Sequence, residues 1–307
     1  MVEPILSIVI ANYNYGRFLE EAIQSVIAQD MGDKIELIIC DAASTDNSVE
    51  IIKKYANGLP PNTSYGEWIA RTNSQPTTHN SQLITWWCSE KDGGQSAAFN
   101  KGFSHARGRF LTWLNADDVL FPGALKAFLS AVEKYPDCEW FVGGVMWLDK
   151  NMRIVRCGKA RAFSRVRADA GSIGVWGPSS IFSRRLYDCA GGIDERFIYT
   201  MDTDLWLRLY YIGGATYRPF TDYAWGLRLH ECAKMSAHDF AETGQSNPNH
   251  PKWKQIANER EWRLSKCRYR QRMTWIRFVL SVNYFRAISS RIDAFLFKGR
   301  HYKEFFK

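Results

Sequence analysis

A chain of 307 residues with 46% apolar and 23% charged residues has the make-up of one large or two ordinary globular domains, which excludes collagen-like, mucin-like and wholly disordered chains. Its apolar runs last only a few residues against the ~18 to 20 needed to cross a bilayer, so neither a membrane span nor a secretory signal is read. The net charge of +8 is concentrated at one end: residues 252 to 307 hold 15 Lys plus Arg against 4 Asp plus Glu, a surplus of +11, and the first 251 residues carry −3.

The elements follow in chain order from the alternation of apolar runs and turn formers. "ILSIVIA" at 5 to 11 predicts a strand, "NYNYGRF" a loop, and the pattern through Gln29 a helix. The cycle repeats with strand 35 to 40, loop "DAASTDNS" and a helix to about Tyr55, with Asp46 or Asn47 as its cap. Two successive βα units predict a parallel sheet. Residues 57 to 82 are polar and read as a long loop or insertion. A third unit follows, with strand "LITWWCSE", turn "KDGGQS", a helix ending at Gly108, and a fourth strand in "RFLTWLNADD". The second half predicts a helix over 122 to 135, strands near 139 to 148 and 153 to 157, a mixed region to Gly192, and a helix from Asp202 to Tyr211.

The unusual polar clusters all fall just after strand ends. In open α/β sheets the ligand crevice lies outside the carboxyl ends of the strands, so Asn12 to Asn14, Asp41 to Asp46, Glu90 to Gln95 and Asn115 to Asp118 are expected to converge. No phosphate loop G-x-x-x-x-G-K-[ST], no G-x-G-x-x-G, no H-E-x-x-H and no G-x-S-x-G occurs at the required places, which removes the common kinase, dehydrogenase, zincin and hydrolase readings. Asp117 and Asp118 are the sharpest remaining feature. Adjacent carboxylates after an apolar strand repel unless a hard cation such as Mg²⁺ or Mn²⁺, usually with substrate phosphates, neutralises them. The alternative is that the pair caps the helix near Pro122.

"SIVIANYNYGRFLEEAIQSVIAQ", "IELIICDAASTDNSVEIIKKY", "SEKDGGQSAAFNKGFSHARGRFLTWLNADD" and "YTMDTDLWLRL" resemble, in order and spacing, the successive motifs of family 2 glycosyltransferases. The resemblance spans roughly residues 5 to 235. It implies a GT-A type fold: a Rossmann-like α/β sheet, mostly parallel, with helices on both faces. The nucleotide-sugar half would occupy about 1 to 120 and the acceptor half about 121 to 250, followed by a helical tail over 251 to 307.

The resemblance also implies transfer, with inversion, of a sugar from a nucleotide diphosphate-sugar to an acceptor hydroxyl, with a divalent metal. By similarity Tyr13 lies against the base with Asn14 beside it, Asp41 contacts the nucleoside, and Asp117 and Asp118 hold ribose and metal-diphosphate. Asp202 is the implied general base, with Asp204 the competing assignment. His230 and Lys234, in "LRLHECAK", are candidates for the metal or diphosphate, and Lys101 is a further candidate on its helix. The sequence departs from the family pattern at Ala42 and Asn115, where acids are common, and at Met201, where Glu is usual. Ala42 leaves open whether the base is uridine, and Asn115 is a poorer metal ligand than a carboxylate.

In the tail, Trp275, Phe278, Val282, Phe285, Ile288, Ile292 and Phe295 recur at steps of three and four beside Arg277, Arg286 and Arg291. Such a stripe suits a helix at an anionic membrane surface, where lipid-linked acceptors would be met, or alternatively a core-packed or dimer-forming helix. No zinc-finger, RNA-recognition or helix-turn-helix signature supports nucleic-acid binding. Seven cysteines, odd in number and without a C-x-x-C pair, argue for a reducing, cytoplasmic setting, with peripheral placement at the inner membrane face as its extension. Two other functions fit parts of the pattern: a sugar nucleotidyltransferase, which would want a basic glycine-rich loop after the first strand, and a non-catalytic nucleotide-sugar-binding module, which the retained acids disfavour.

Overall fold

The computed structural model describes residues 3–72, 83–169, 173–231 and 233–234, together with 255, 258–259, 293 and 295–306. The first half runs β1 (Leu6–Asn12), α1 (Gly16–Ile27), β2 (Ile35–Asp41), α2 (Ser48–Tyr55), α3 (Tyr65–Thr72), β3 (Ile84–Ser89), α4 (Gln95–His105) and β4 (Phe110–Asn115). Strands β3, β2, β1 and β4 lie side by side in that order, all parallel. Every residue of β2 is buried, as expected of a strand covered on both faces. Alternation along β1 explains the covering: Leu6, Ile8 and Ile10 pack with α1, α2 and the helix over 124–134, whereas Val9 packs with α4 on the other face.

The order β3-β2-β1-β4 places a topological switch between β1 and β4. Ligand crevices form outside the carboxyl ends of strands at such a point. The register sets polar residues side by side there, with Asn12 opposite Asp41, Asp41 opposite Ser89, and Asn115 opposite Ala11.

The second half contains β5 (Val119–Leu120), α5 (Ala124–Lys134), β6 (Trp140–Leu148), β7 (Ile154–Gly158), α6 (Arg165–Asp169), β8 (Ser180–Ser183), α7 (Arg184–Ala190), α8 (Met201–Tyr211) and β9 (Arg218–Arg228). These strands extend the sheet from β4 in the order β8-β6-β9-β5, with β7 paired to β6. Only β6 and β9 are parallel in this half, so the sheet is parallel at one end and mixed at the other. A Cβ at Gly143 or Gly144 would overlap Ala224 or the Asp222 carbonyl; the glycine pair is what lets β6 approach β9 where their register shifts.

Two segments differ from the sequence expectation. The stretch 57 to 82, expected as loop, contains α3, whose start is fixed by a reciprocal cap: Ser64 N donates to Glu67 Oε2 at 3.0 Å and Glu67 N to Ser64 Oγ at 3.2 Å. Strand β9 was not expected from "RPFTDYAWGLR", where Pro219, Thr221 and Asp222 interrupt the apolar pattern. Its pairing with β6 on one side and β5 on the other supplies what local propensity does not.

The described end of the tail is packed rather than separate. Gly299 N donates to Ile154 O and Ile154 N to Arg300 O, both at 2.7 Å, extending the β7 edge. Tyr302, in the short helix α9 (Tyr302–Phe305), is 5% exposed and packs with Phe121, Met146 and Leu148. Asp293 accepts from Tyr223 Oη at 2.7 Å and pairs with Lys159 at 3.0 Å. Of the apolar stripe expected at a membrane, Trp275 to Ile292 lie outside the described residues; Phe295 is described and exposed.

Candidate active site

The loops after β1 and β2 are tied to one another by side chains the strand ends supply. Asp41 is 1% exposed, and its carboxylate accepts from Asn12 Nδ2 (2.6 Å), Ser44 Oγ (2.5 Å), Ser44 N (3.0 Å) and Ser89 Oγ (2.6 Å). Asn14 is left-handed at φ 55°, donates its N–H to Ser44 Oγ at 2.8 Å, and accepts from Thr45 N at 2.8 Å. Asp46 accepts from Gly16 N and Ser48 N at 2.8 and 3.0 Å, joining the starts of α1 and α2. Tyr13 alone in this set projects, at 59% exposed. Asp41 therefore braces three strand ends, and a nucleoside could reach its carboxylate only by displacing one of these donors.

The second cluster joins the β4–β5 turn to the end of β9. Asp118 is 4% exposed; Oδ1 accepts from Arg228 N at 3.0 Å and Oδ2 from Asn115 Nδ2 at 2.7 Å. Burial, and then the neighbouring Asp117 charge, push its carboxyl well above the usual range. Asp117 faces outward by comparison, and its Oδ2 lies 3.0 Å from His230 Nε2. The imidazole is packed by Tyr15, just before α1, and by Phe18 within it, with ring centroids at 5.6 and 4.6 Å. Arg228 lies over Phe18 at 4.6 Å and reaches Glu21 at 2.5 Å. From Asn115 the network continues through Gln95, which donates to Asn115 Oδ1 at 3.0 Å and accepts from Lys234 Nζ at 2.8 Å.

These contacts distinguish the surroundings of the two acids: Asp118 carries one internal donor on each oxygen, which joins the β4–β5 turn to β9 and leaves a lone pair on each oxygen for an ion. Asp117 keeps some exposure, whereas His230 is buried, with Nε2 directed at Asp117 and Nδ1 without a hydrogen-bond partner. Among the described residues no group of three or more His, Cys, Asp or Glu side chains converges on one point. Two protein ligands nevertheless fit an ion whose shell a diphosphate and water complete. Lys101 is held elsewhere: Nζ donates to Glu90 Oε1 at 2.9 Å, a contact that raises its pKa.

A further pair of acids stands at the start of α8. Ser96, at the start of α4, donates to Phe197 O at 3.0 Å and abuts Met201, so the two helix starts adjoin. Asp202 is partly exposed, with Oδ1 accepting from Thr203 N at 2.5 Å. Asp204 is buried and ion-paired with Arg208 at 2.6 Å, whose Nη1 also donates to the carbonyls of Ala190 and Gly192. That pairing fixes Asp204 in the packing of α7 on α8. Glu259, unremarked in the sequence, binds the segment just before α8; an acid in a basic tail carries no periodic signal. Arg228 was missed for a related reason, since its backbone rather than its side chain meets Asp118.

A curled α/β sheet with acids at the β4 end and at the start of α8 defines a nucleotide-sugar transferase architecture of the GT-A kind. The chain belongs to glycosyl transferase family 2, whose sequence pattern matches residues 7–189. It is 34% identical over 128 residues, 42% of this chain and 33% of the relative, to an uncharacterized glycosyltransferase of Nostoc sp.. It is 25% identical over 224 residues, 68% of this chain and 19% of the relative, to chondroitin synthase of Pasteurella multocida. Among solved structures, S. aureus TarS 1-349 in complex with UDP-GlcNAc has a TM-score of 0.56 at 14% identity, covering 86% of this chain and 68% of that one, a likeness of fold. The chain spans between 33% and 59% of the length of the curated relatives it first matches.

Proposed function

We propose that this chain is an inverting glycosyltransferase that moves a sugar from a nucleoside diphosphate-sugar, UDP-linked by preference, to the hydroxyl of a saccharide or lipid-linked acceptor. The observation that carries the reading is the hydrogen-bonded path from the Asp118 brace through Asn115, Gln95 and Lys234, with Ser96 next along α4 meeting the start of α8. That path supports a reading in which donor-side and acceptor-side carboxylates serve one site.

In this reading the exposed ring of Tyr13 offers a face to the base, with Asn14 holding the loop shape beneath it. Asp117 and Asp118, with His230 beside Asp117, would hold a divalent ion, Mn²⁺ or Mg²⁺, which would neutralise the charge that builds on the leaving diphosphate. Lys234 adds a cation on the same side. Asp202 takes the proton from the attacking acceptor hydroxyl as its oxygen bonds the anomeric carbon and the bond to the diphosphate oxygen breaks; the proton ends on Asp202 and the electron pair on the diphosphate. Asp204 is unsuited to that task because Arg208 already neutralises it.

The names of the relatives, which include a minor teichoic acid biosynthesis protein of Bacillus subtilis and chondroitin synthase, support an acceptor within a surface polysaccharide or glycolipid. Among the described residues no helix is long and apolar enough to cross a membrane. The basic stretch 275 to 292 supports peripheral contact with anionic lipid from the cytoplasmic side, with self-association of the same stripe as the competing arrangement. The deciding experiment is a panel of nucleotide-sugars assayed for metal-dependent nucleoside diphosphate release with and without saccharide acceptors. Release from no donor in the presence of Mn²⁺ or Mg²⁺ sinks the proposal.

A further inference from the structure

The segment Ile198–Thr200, immediately before α8, turns three consecutive backbone N–H groups toward one carboxylate. Glu259 Oε1 accepts from Ile198 N at 3.0 Å, and Oε2 accepts from Tyr199 N at 3.1 Å, Thr200 N at 3.0 Å and Thr200 Oγ1 at 3.0 Å. Glu259 is 8% exposed, while the neighbouring Ile198 is 46% exposed on the outer side of the same segment. Four donors on a buried carboxylate form a strong, charge-assisted set, and each N–H would otherwise lack a helical partner at the start of α8.

We infer that Glu259 is a positioning residue for the transfer reaction: it fixes the segment from which Asp202 projects and thereby sets the distance between base and acceptor hydroxyl. This rests on the reading of Asp202 given above. Two contacts connect the clamp to the donor side. The Tyr199 ring faces Lys234 Nζ at 5.7 Å, and Lys234 donates to Gln95, which bonds Asn115. On the other flank Phe197 O accepts from Ser96. A residue from the basic stretch beyond 250 thus acts on the segment that leads into Asp202, so a chain cut near His250 would lose turnover for a reason unrelated to membranes.

The test uses the full chain with Glu259→Ala, Glu259→Gln and Glu259→Asp, alongside Asp202→Asn. Hydrogen exchange at the amides of 198–200 is read by mass spectrometry, together with nucleotide-sugar affinity, kcat and acceptor KM. Glu259→Ala is expected to unprotect those amides and lower kcat by about 100-fold, the usual effect of ~1 Å misplacement, with nucleotide-sugar affinity unchanged within about twofold. Glu259→Gln, which keeps an acceptor oxygen and the side-chain length, is expected to fold and to recover part of both. Unchanged exchange, wild-type kcat in Glu259→Ala or Glu259→Gln, or nucleotide affinity falling in step with kcat overturns the inference. Full activity in Asp202→Asn overturns the base assignment instead, and the exchange measurement then still decides whether the clamp exists.

Discussion

His230 Nε2 stands 3.0 Å from Asp117 Oδ2, with the imidazole packed by Tyr15 and Phe18 and its other nitrogen buried without a partner. One carboxylate and one histidine, drawn from β4 and from beyond β9, meet only because β9 returns along the sheet to lie beside β5.

Metal dependence follows from that pair. Asp117→Ala is expected to weaken nucleoside diphosphate binding in Mn²⁺ by at least about tenfold, and His230→Ala by less, since phosphate oxygens and water can replace one nitrogen ligand. Calorimetric titration with and without chelator measures both. Binding and turnover indifferent to chelator exclude the metal role.

Asp118→Asn tests the brace. An amide cannot accept at both oxygens, so one of the Arg228 N and Asn115 Nδ2 donors is left facing N–H, at a cost on the order of 1–3 kcal/mol. The melting temperature should fall and turnover should nearly vanish as the β4–β5 turn shifts. If Asp118→Asn keeps its stability yet binds metal-nucleotide poorly, Asp118 acts as an ion ligand rather than as a brace.

The two acids of α8 should separate by phenotype. Asp202→Asn is expected to lower kcat by about two orders of magnitude or more with nucleotide affinity little changed. Asp204→Asn strips the partner from Arg208 and should destabilise the fold by on the order of 3 kcal/mol, read by denaturant titration. The reverse pattern moves the base to Asp204.

The tail carries two separable expectations. Tyr302→Ala removes a buried ring centred 5.3 Å from that of Phe121 and should cost about 3 kcal/mol of stability without altering vesicle binding. Replacing Arg277, Arg286 and Arg291 by Gln should leave stability intact and abolish sedimentation with anionic vesicles at low salt, binding that high salt also reverses. If the full chain ignores such vesicles, self-association of the stripe is the better account.

Much of the donor half was legible because its signals are local. Short β-branched runs such as "ILSIVIA" and "IELIIC", each followed by Asn, Asp, Ser or Gly and then an apolar spacing of three and four, specify βα units whichever neighbours they find. The strand-end positions of Asn12, Asp41, Asn115 and the 117–118 acids come from the same pattern. The start of α3 was equally local, written in Ser64 and Glu67, and went unread because the surrounding polar residues resemble a loop.

By itself, then, the sequence determined the βα units of the first half, the edge of the sheet where polar groups gather, and the acids available there. Only the tertiary structure decided how those acids are surrounded. Asp117 and Asp118 are neighbours of identical chemistry, yet Asp118 is buried with donors from Arg228 N and Asn115 Nδ2 while Asp117 is more exposed and meets His230. Asp202 and Asp204 differ because Arg208 reaches one of them. Strand β9 and the Glu259 clamp depend on partners from 59 to more than 70 residues away along the chain. Such contacts gain their energy from desolvation and hydrogen bonding in a closed environment, which no window of residues contains until the chain has folded around it.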